Sequence, residues 1–330
     1  MASPLMKTNT SRKKIKRCLH LYKIHSRILI QCNKKRMKMN RLKNILLLSF
    51  IISIFSLSSA SLNLVVFSFD RPLQLYAFLE SFQAFTRGCQ RITVIYKASS
   101  DAFESGYEIV KQAFPDVEFL QQSLTSKTDF KPLTLKAIGF NKEHYTIFAV
   151  DDIIVTREVD FDKVIEAMEI IPCNGFYLRL GTHITECYSE NRVTGKPALK
   201  ELLPDIYQWH FKEGSGDWGY PHTVDMTVYK KEHLKDLFIQ MAFTNPNTLE
   251  GNWACCAPRH KSGLCYKDAA IVNCPLNIVQ TTWKNRHSNE CTPQELLEIF
   301  LNGYKLDIAP LHAIFNKAPH MDYKPTFVVR

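Results

Sequence analysis

The chain has 330 residues, with 42 Lys and Arg against 32 Asp and Glu, and its formal charge of +10 could suggest a nucleic-acid-binding protein. Fourteen of the basic residues and none of the acidic ones lie in residues 1–60, so 28 basic and 32 acidic residues remain in 61–330. A basic groove for phosphate backbones should lie on the folded part of a protein. The charge distribution therefore argues against a nucleic-acid partner.

A short apolar segment, residues 45–57, follows the basic residues and ends in Ser58-Ser59-Ala60. A basic region, a short apolar core and small residues are typical of a secretory signal peptide. A membrane-spanning helix needs about 20 residues. We therefore expect residues 1–60 to be a basic leader plus a signal peptide, and the protein to be exported. The alternative is a short membrane anchor at residues 45–57 that holds the protein at the cytoplasmic face of the membrane.

Apolar strands alternate with amphipathic helices in the first half of residues 61–330. The predicted strands are 62–67, 91–96, 117–120, 145–150 and 175–180, and the predicted helices begin at Pro72 or cover 102–114, 132–140 and 160–170. This alternation predicts an α/β fold with a mostly parallel, Rossmann-like sheet flanked by helices. Ligand sites of such folds lie at the carboxyl ends of the strands. We expect one domain, with a regular half (61–180) and an irregular, aromatic-rich half (181–330).

Two adjacent carboxylates, Asp151 and Asp152, follow the predicted strand 145–150. Two like charges side by side raise each other's pKa and are costly to bury. Mg²⁺ and Mn²⁺ are usually held by one or two carboxylates together with phosphate oxygens. The pair therefore indicates a site for a divalent cation and a diphosphate, although a solvated acidic turn would also explain it.

The second half is richer in aromatic residues and less regular. In the segment Asp217-Trp218-Gly219-Tyr220, flat apolar rings stand beside polar groups. Sugar rings stack on aromatic faces while their hydroxyls bond to carboxylates and amides. Trp218 and Tyr220 are therefore predicted to bind a carbohydrate acceptor, and ordinary core packing is the alternative.

Several familiar nucleotide and hydrolase motifs are absent from the sequence. There is no G-x-x-x-x-G-K-[ST], no G-x-G-x-x-G after the first strand and no H-E-x-x-H. A P-loop enzyme, a Rossmann dehydrogenase and a zinc protease are therefore not supported. Asp151 and Asp152 also lie too close together to flank a glycosidic bond as the two acids of a hydrolase.

Two segments resemble the nucleotide-diphospho-sugar transferases with the GT-A fold. The segment Phe67-Ser-Phe-Asp-Arg-Pro-Leu-Gln-Leu-Tyr-Ala-Phe-Leu-Glu-Ser81 is similar to the first strand and helix of many such enzymes. The segment Phe148-Ala-Val-Asp-Asp-Ile-Ile-Val155 is similar to their acidic D-x-D motif, with Val150 at its first position. The resemblance covers most of residues 62–330 and assigns no subfamily. It implies a nucleotide-binding half (61–180) and an acceptor half (181–330).

The resemblance implies a divalent cation, Mn²⁺ or Mg²⁺, bound by Asp152 and by Asp151 directly or through water or ribose. A late histidine often completes the metal shell in this superfamily, and the candidates are His320, which we prefer, and His287. The residues implied to contact the nucleotide are Ser68, Asp70, Arg71, Lys97, Lys131 and Asp151.

An inverting transferase also needs a general base near the acceptor hydroxyl. Glu250 is the first candidate because it follows the aromatic region, Asp225 is the second and Asp217 the third. The implied function is transfer of a sugar from a UDP- or GDP-sugar to a glycan or lipid-linked acceptor. The alternative is a non-catalytic, exported carbohydrate- or nucleotide-binding protein on the same scaffold.

Overall fold

The computed structural model describes residues 61–126, 128–279 and 291–330. The predicted leader and the apolar segment 45–57 lie outside these residues. Among the helices that the structure describes, none combines the length and apolar character that crossing a membrane requires.

Seven α-helices are present in the described residues. They are α1 (Pro72–Phe85), α2 (Asp101–Ala113), α3 (Phe130–Ile138), α4 (Phe161–Ile170), α5 (Lys235–Gln240), α6 (Pro246–Cys255) and α7 (Pro293–Leu301). Local sequence signals begin several of them. Pro72, Pro246 and Pro293 occupy first-turn positions, where the missing N–H costs nothing.

The strands form one large sheet and several two-stranded pairs. They are β1 (Leu62–Phe69), β2 (Thr86–Arg87), β3 (Arg91–Lys97), β4 (Glu118–Gln121), β5 (Tyr145–Val150), β6 (Ile153–Val155), β7 (Val159–Asp160), β8 (Phe176–Tyr177), β9 (Glu186–Cys187), β10 (Arg192–Val193), β11 (Lys200–Leu203), β12 (Ile206–His210), β13 (Thr227–Lys230), β14 (Ser262–Tyr266), β15 (Ile271–Asn273), β16 (Tyr304–Leu306) and β17 (Phe327–Val329).

The large sheet has nine strands in the order β11-β12-β14-β8-β13-β5-β1-β3-β4. Strands β4, β3, β1 and β5 pair in parallel, as expected for strands joined by helices. The second half adds antiparallel pairs, including β13 beside β5. The predicted α/β fold with flanking helices is confirmed, and the parallel pairing lies mainly in residues 61–180.

Alternate residues of β1 enter two different cores. Leu64 and Val66 belong to the core shared with α1, α2 and α7, whereas Val65 and Phe67 belong to the core on the other face, with Phe130 of α3. A continuous apolar strand is the pattern of a parallel sheet covered on both faces. The sequence of β1 is therefore explained by its central position.

The ends of β1, β5 and β8 and the start of β13 lie at one edge of this sheet. Phe67 of β1 lies opposite Val150 of β5, so the residues after both strands emerge together. Strand β13 runs antiparallel to β5, with Thr227 opposite Phe148, so the residues before β13 reach the same edge. Strand β8 is antiparallel to β13, and its following residues emerge there too.

Candidate functional site

The acid pair lies at this edge, held by an arginine. Arg71 Nη1 is 3.0 Å from Asp151 Oδ1 and 3.2 Å from Asp152 Oδ2, so one guanidinium bridges both carboxylates. Asn277 holds the other side of Arg71, because its Oδ1 accepts from Nε at 2.9 Å and its carbonyl accepts from Nη2. Burial alone would lower the Arg71 pKa, but the charges of Asp151 and Asp152 outweigh it and raise that pKa.

Asp151 is almost completely buried, and its oxygens are occupied by protein donors. Its Oδ2 accepts from Ser68 Oγ at 2.8 Å and from the Phe69 N–H at 3.3 Å, while Oδ1 accepts from Arg71. Burial raises the Asp151 pKa, and Arg71 opposes that rise. Three of its roughly four acceptor positions are therefore occupied by protein donors. Asp151 orders the loop after β1.

Asp152 differs from its neighbour in one respect. Its Oδ1 is buried and has no hydrogen-bond partner among the described residues. A buried carboxylate oxygen without a partner costs free energy unless a ligand satisfies it. Asp152 therefore fits a direct ligand of a divalent cation better than Asp151 does, and a contribution of Asp151 through water or ribose stays a prediction.

The loop after β1 is fixed by buried hydrogen bonds and by one unusual residue. Asp70 has a φ of +53°, a left-handed conformation that non-glycine residues seldom adopt. Its carboxylate accepts from the Ser99 N–H at 2.7 Å, and burial raises its pKa. Ser68 Oγ lies 2.7 Å from the Tyr107 hydroxyl. Strained backbone that surrounding contacts hold in place is typical of ligand-binding loops.

The two lysines predicted to contact the nucleotide have different surroundings. Lys97 ends β3 at the site edge, with its ammonium 6.0 Å from the Phe69 ring centroid. Lys131 donates to the carbonyls of Ile239 and Met241 at 2.7 and 2.8 Å, at the end of α5. These contacts of Lys131 are with the protein backbone, and its role at the nucleotide stays a prediction.

A second pair of carboxylates, Glu250 and Asp225, lies at the same edge. Glu250 Oε1 accepts from the Val224 N–H at 3.0 Å. Burial, then the charge of Asp225, raises the Glu250 pKa to about 7. Asp225 precedes β13, and its Oδ1 accepts from Asn273 Nδ2 at 3.2 Å. The structure thus brings together two of the three predicted candidates for the general base.

Asp217, the third candidate, is paired with a buried arginine. Arg179 Nη1 lies 2.6 Å from Asp217 Oδ1, and Nη2 donates to the Tyr220 carbonyl at 3.0 Å. Only 1% of the Arg179 side chain is exposed. A buried arginine needs such a partner, because removing one member of a buried ion pair leaves the other charge uncompensated. The contacts of Asp217 are therefore those of a residue that supports Arg179.

The aromatic residues predicted to bind carbohydrate separate into two environments. Trp218 has no exposed surface, donates from Nε1 to the Ile184 carbonyl at 3.2 Å and packs edge-on against Trp209. It belongs to a core cluster and cannot stack on a sugar, so this prediction is wrong. Tyr220 is half-buried, and the charge of Glu250 contributes, after burial, to its raised pKa.

His320 lies beside the second acid pair, with Nε2 3.7 Å from Asp225 Oδ2 and its ring stacked on Tyr188. In the part of the chain that the structure describes, no three or more His, Cys, Asp or Glu side chains are grouped to hold a metal. The expected ligand set of Asp151, Asp152 and His320 is therefore not assembled. The other candidate, His287, lies outside the described residues.

Sequence reasoning missed three residues that organise the site: Tyr107, Arg179 and Asn277. Tyr107 belongs to a helical apolar pattern, and its hydroxyl accepts from the Arg71 N–H at 3.2 Å. Asn277 comes from a loop with no motif. The one available signal was the charge of Arg179 near the carboxyl end of the predicted strand 175–180, since strand ends are the usual position of site residues in this class of fold.

Comparison with known proteins gives one curated relative. No family model matches the chain. The bifunctional glycosyltransferase pgtA of Dictyostelium discoideum is 23% identical over 217 residues, which are 58% of this chain and 28% of that protein. The predicted resemblance to glycosyltransferases is confirmed by this relative. The chain spans little more than a quarter of the relative's length.

The chain also shows weak similarity to two solved complexes. S. aureus TarS 1-349 in complex with UDP has a TM-score of 0.41 and 12% identity, over 64% of this chain and 59% of that chain. The mannosyltransferase PcManGT of Pyrobaculum calidifontis, in complex with GDP-Man and Mn²⁺, has a TM-score of 0.34 and 9% identity, over 57% and 50%.

Proposed function

We propose that this chain is a glycosyltransferase that moves a sugar from a UDP- or GDP-sugar to a glycan or lipid-linked acceptor. The observation that supports the proposal most directly is that two acid pairs lie at the same edge of the sheet and are connected by one residue. The pairs are Asp151 with Asp152 and Asp225 with Glu250. Asn273 pairs with Ile153, the residue after Asp152, across β6 and β15, and its side chain donates to Asp225. The donor side and the acceptor side are thus linked through a single residue.

The donor side carries a net negative charge. Asp151 and Asp152 are negative and Arg71 is positive, so these three residues sum to one negative charge. A diphosphate would be repelled there unless a cation accompanied it. The buried, unpartnered Oδ1 of Asp152 supports a divalent cation as that partner. When bound, such a cation stabilises negative charge on a leaving nucleoside diphosphate.

The acceptor side supplies a proton acceptor. Glu250 is oriented by the Val224 N–H, and its burial beside Asp225 raises its pKa to about 7. A general base works best when its pKa lies near the working pH. We therefore assign Glu250 the removal of the acceptor hydroxyl proton, and Asp225 the support of that site.

The proposal is tested by thermal stabilisation of the protein with UDP or GDP in the presence of Mn²⁺. A ligand that binds only the native state at about a hundred times its Kd stabilises it by about 2.7 kcal/mol. Asp152→Ala should abolish the effect, whereas Asp116→Ala, which removes an exposed carboxylate after α2, should keep it.

Two results would contradict the proposal in different ways. If no nucleoside diphosphate stabilises the protein, the non-catalytic carbohydrate-binding alternative is favoured. If the wild type is stabilised and Asp152→Ala is stabilised equally, the assignment of Asp152 to the donor cation is wrong.

A further inference from the structure

A cleft of about 550 Å³ opens beside the second acid pair. One wall is the β9–β10 hairpin and the other is the segment 315–322. Its volume falls in the usual range for small-molecule and saccharide sites, about 300–1,000 Å³. His320 lines the cleft and also lies 3.7 Å from Asp225, so the cleft adjoins the residue that supports the proposed base.

The two walls are tied together by backbone hydrogen bonds. The Lys317 carbonyl accepts from the N–H groups of Thr185 and Glu186, both at 2.9 Å. Next to the hairpin, the Thr194 N–H donates to the Thr185 carbonyl at 2.8 Å. The cleft is therefore formed by the fold itself, and a ligand need not pay to order it.

The charges along the cleft balance each other. Glu186 and Asp322 are negative, and Arg192 and Lys317 are positive. Lys317 lies 3.7 Å from Glu186, and Arg192 is paired with Glu190. Among the described residues that line the cleft, both Lys and Arg side chains thus have a carboxylate partner. Because these four charges sum to zero, the cleft has no net charge that would favour an anionic ligand.

Apolar side chains stand at the cleft rims. Phe315 is 68% exposed and Val193 is 74% exposed, although both are large apolar residues. Exposed apolar surface that lies in a groove is typical of a binding site. An exposed aromatic ring beside carboxylates and amides is suited to the C–H face and hydroxyls of a sugar.

We propose that this cleft binds a neutral saccharide, which is the acceptor or the part of it next to the reacting hydroxyl. The inference rests on the proposed function and deepens it. The ring of Phe315 would stack on a sugar ring. A sugar hydroxyl bound near His320 would then lie close to Asp225 and Glu250.

The experiment titrates the full chain with neutral trisaccharides of glucose, galactose and N-acetylglucosamine, and with their sulfated counterparts, up to about 10 mM. Binding is measured by ligand-observed NMR. At least one neutral trisaccharide should bind, and none of the sulfated forms should bind more tightly. Phe315→Ala should weaken binding about tenfold, which corresponds to about 1.4 kcal/mol.

Two further variants separate ring stacking from general apolar contact. Phe315→Tyr should keep the affinity because it keeps the ring, and Phe315→Leu should lose it. Tyr304→Ala, which removes an aromatic ring that is 43% exposed on β16, outside the cleft lining, is the matched control and should change nothing.

Stabilisation by UDP and Mn²⁺ is measured on the same variants. It should be unchanged by Phe315→Ala, since the cleft lies on the acceptor side. No binding by any neutral trisaccharide, preference for a sulfated one, or full affinity in Phe315→Ala would each overturn the cleft proposal. If UDP with Mn²⁺ does not stabilise the wild type, the proposed function is overturned instead.

Discussion

At the scale of single residues, Arg71 supplies a positive charge where the sequence predicted a metal ion. Its guanidinium bridges Asp151 and Asp152 at 3.0 and 3.2 Å, and only 10% of its side chain is exposed. Arg71 therefore offsets part of the unfavourable free energy of burying two neighbouring carboxylates. The negative charge that remains is what a donor-bound cation would neutralise.

Arg71→Met tests this role. Removing one partner of a buried ion pair typically costs about 3–5 kcal/mol, because a charge is left uncompensated. Without Arg71 the Asp151 pKa rises further, so the folded state binds a proton more tightly than the unfolded state. The stability of the variant then falls as pH rises. Its loss of unfolding free energy relative to the wild type should therefore be larger at about pH 8 than at about pH 5.

Urea unfolding of the wild type and the variant at both pH values measures this difference in unfolding free energy. Arg87→Met is the matched control, since Arg87 is 70% exposed and pairs with Asp160 at 2.7 Å. An exposed pair contributes about 0–1 kcal/mol. Equal stability losses in the two variants would show that Arg71 is not the counter-ion.

The pH dependence of transfer follows from Glu250. A general base must be ionised, and burial raises the Glu250 pKa to about 7. Activity should therefore rise as pH increases through about 7. Glu250→Gln should lower kcat by about 10²–10⁴-fold and remove this limb of the pH profile.

Initial rates of nucleotide release from about pH 5 to 9 provide the measurement. Glu213→Gln, at an exposed position after β12, should leave the profile unchanged. If Glu250→Gln retained both the rate and the pH limb, the base would have to be another group, and Asp225 would be the next candidate.

At the scale of elements, the sequence predicted those with strong local patterns. Strand β5 has the predicted bounds, and α1 begins at Pro72 as predicted. The strand predicted at 175–180 is only Phe176–Tyr177 in the structure, because the chain leaves the ladder and sends Arg179 to Asp217. The burial of Trp218 could not be predicted from the sequence, because it depends on contacts with Trp209 and Ile184 that no local pattern reveals.

Helix packing behind the site gives a prediction at this scale. Gly106 of α2 lies against α1 and α7, and a Cβ there would be 2.6 Å from Pro72 Cγ and 2.9 Å from Leu297 Cδ1. Gly106→Ala should destabilise the protein by about 1–3 kcal/mol through overpacking, despite a helix propensity gain of about 1 kcal/mol. The shift of α2 should also displace the Tyr107 hydroxyl from Ser68.

Gly251 is the matched control, since it is a helical glycine in α6 whose Cβ would have no neighbour within 4 Å. Gly251→Ala should raise stability by about 0.5–1 kcal/mol. Thermal unfolding of both variants gives the comparison. Stabilisation of the protein by Gly106→Ala would show that α2 is not packed as described.

At the scale of the whole molecule, the charge is divided between two parts of the chain. Residues 1–60 hold fourteen Lys and Arg and no acidic residue, while 61–330 hold 28 basic and 32 acidic residues, a formal charge of −4. This separation could be read directly from the sequence. The arrangement of the site could not, because Arg71, Asn277 and Asp152 are distant in the chain and meet only through the fold.

The charge division predicts how the protein interacts with polyanions. The full chain should bind DNA or heparin at low salt, with an affinity that falls steeply as salt rises, because bound phosphates or sulfates release counterions. A polypeptide of residues 61–330, which form a compact unit, should not be retained on heparin at physiological salt. The same full chain with its fourteen leader Lys and Arg changed to Gln should behave like this shorter polypeptide, since only the charge has been removed.

Salt-gradient elution of the three proteins from heparin measures the difference. Tight binding by residues 61–330 would mean that the folded part carries a basic groove, and the exclusion of a nucleic-acid partner would be wrong.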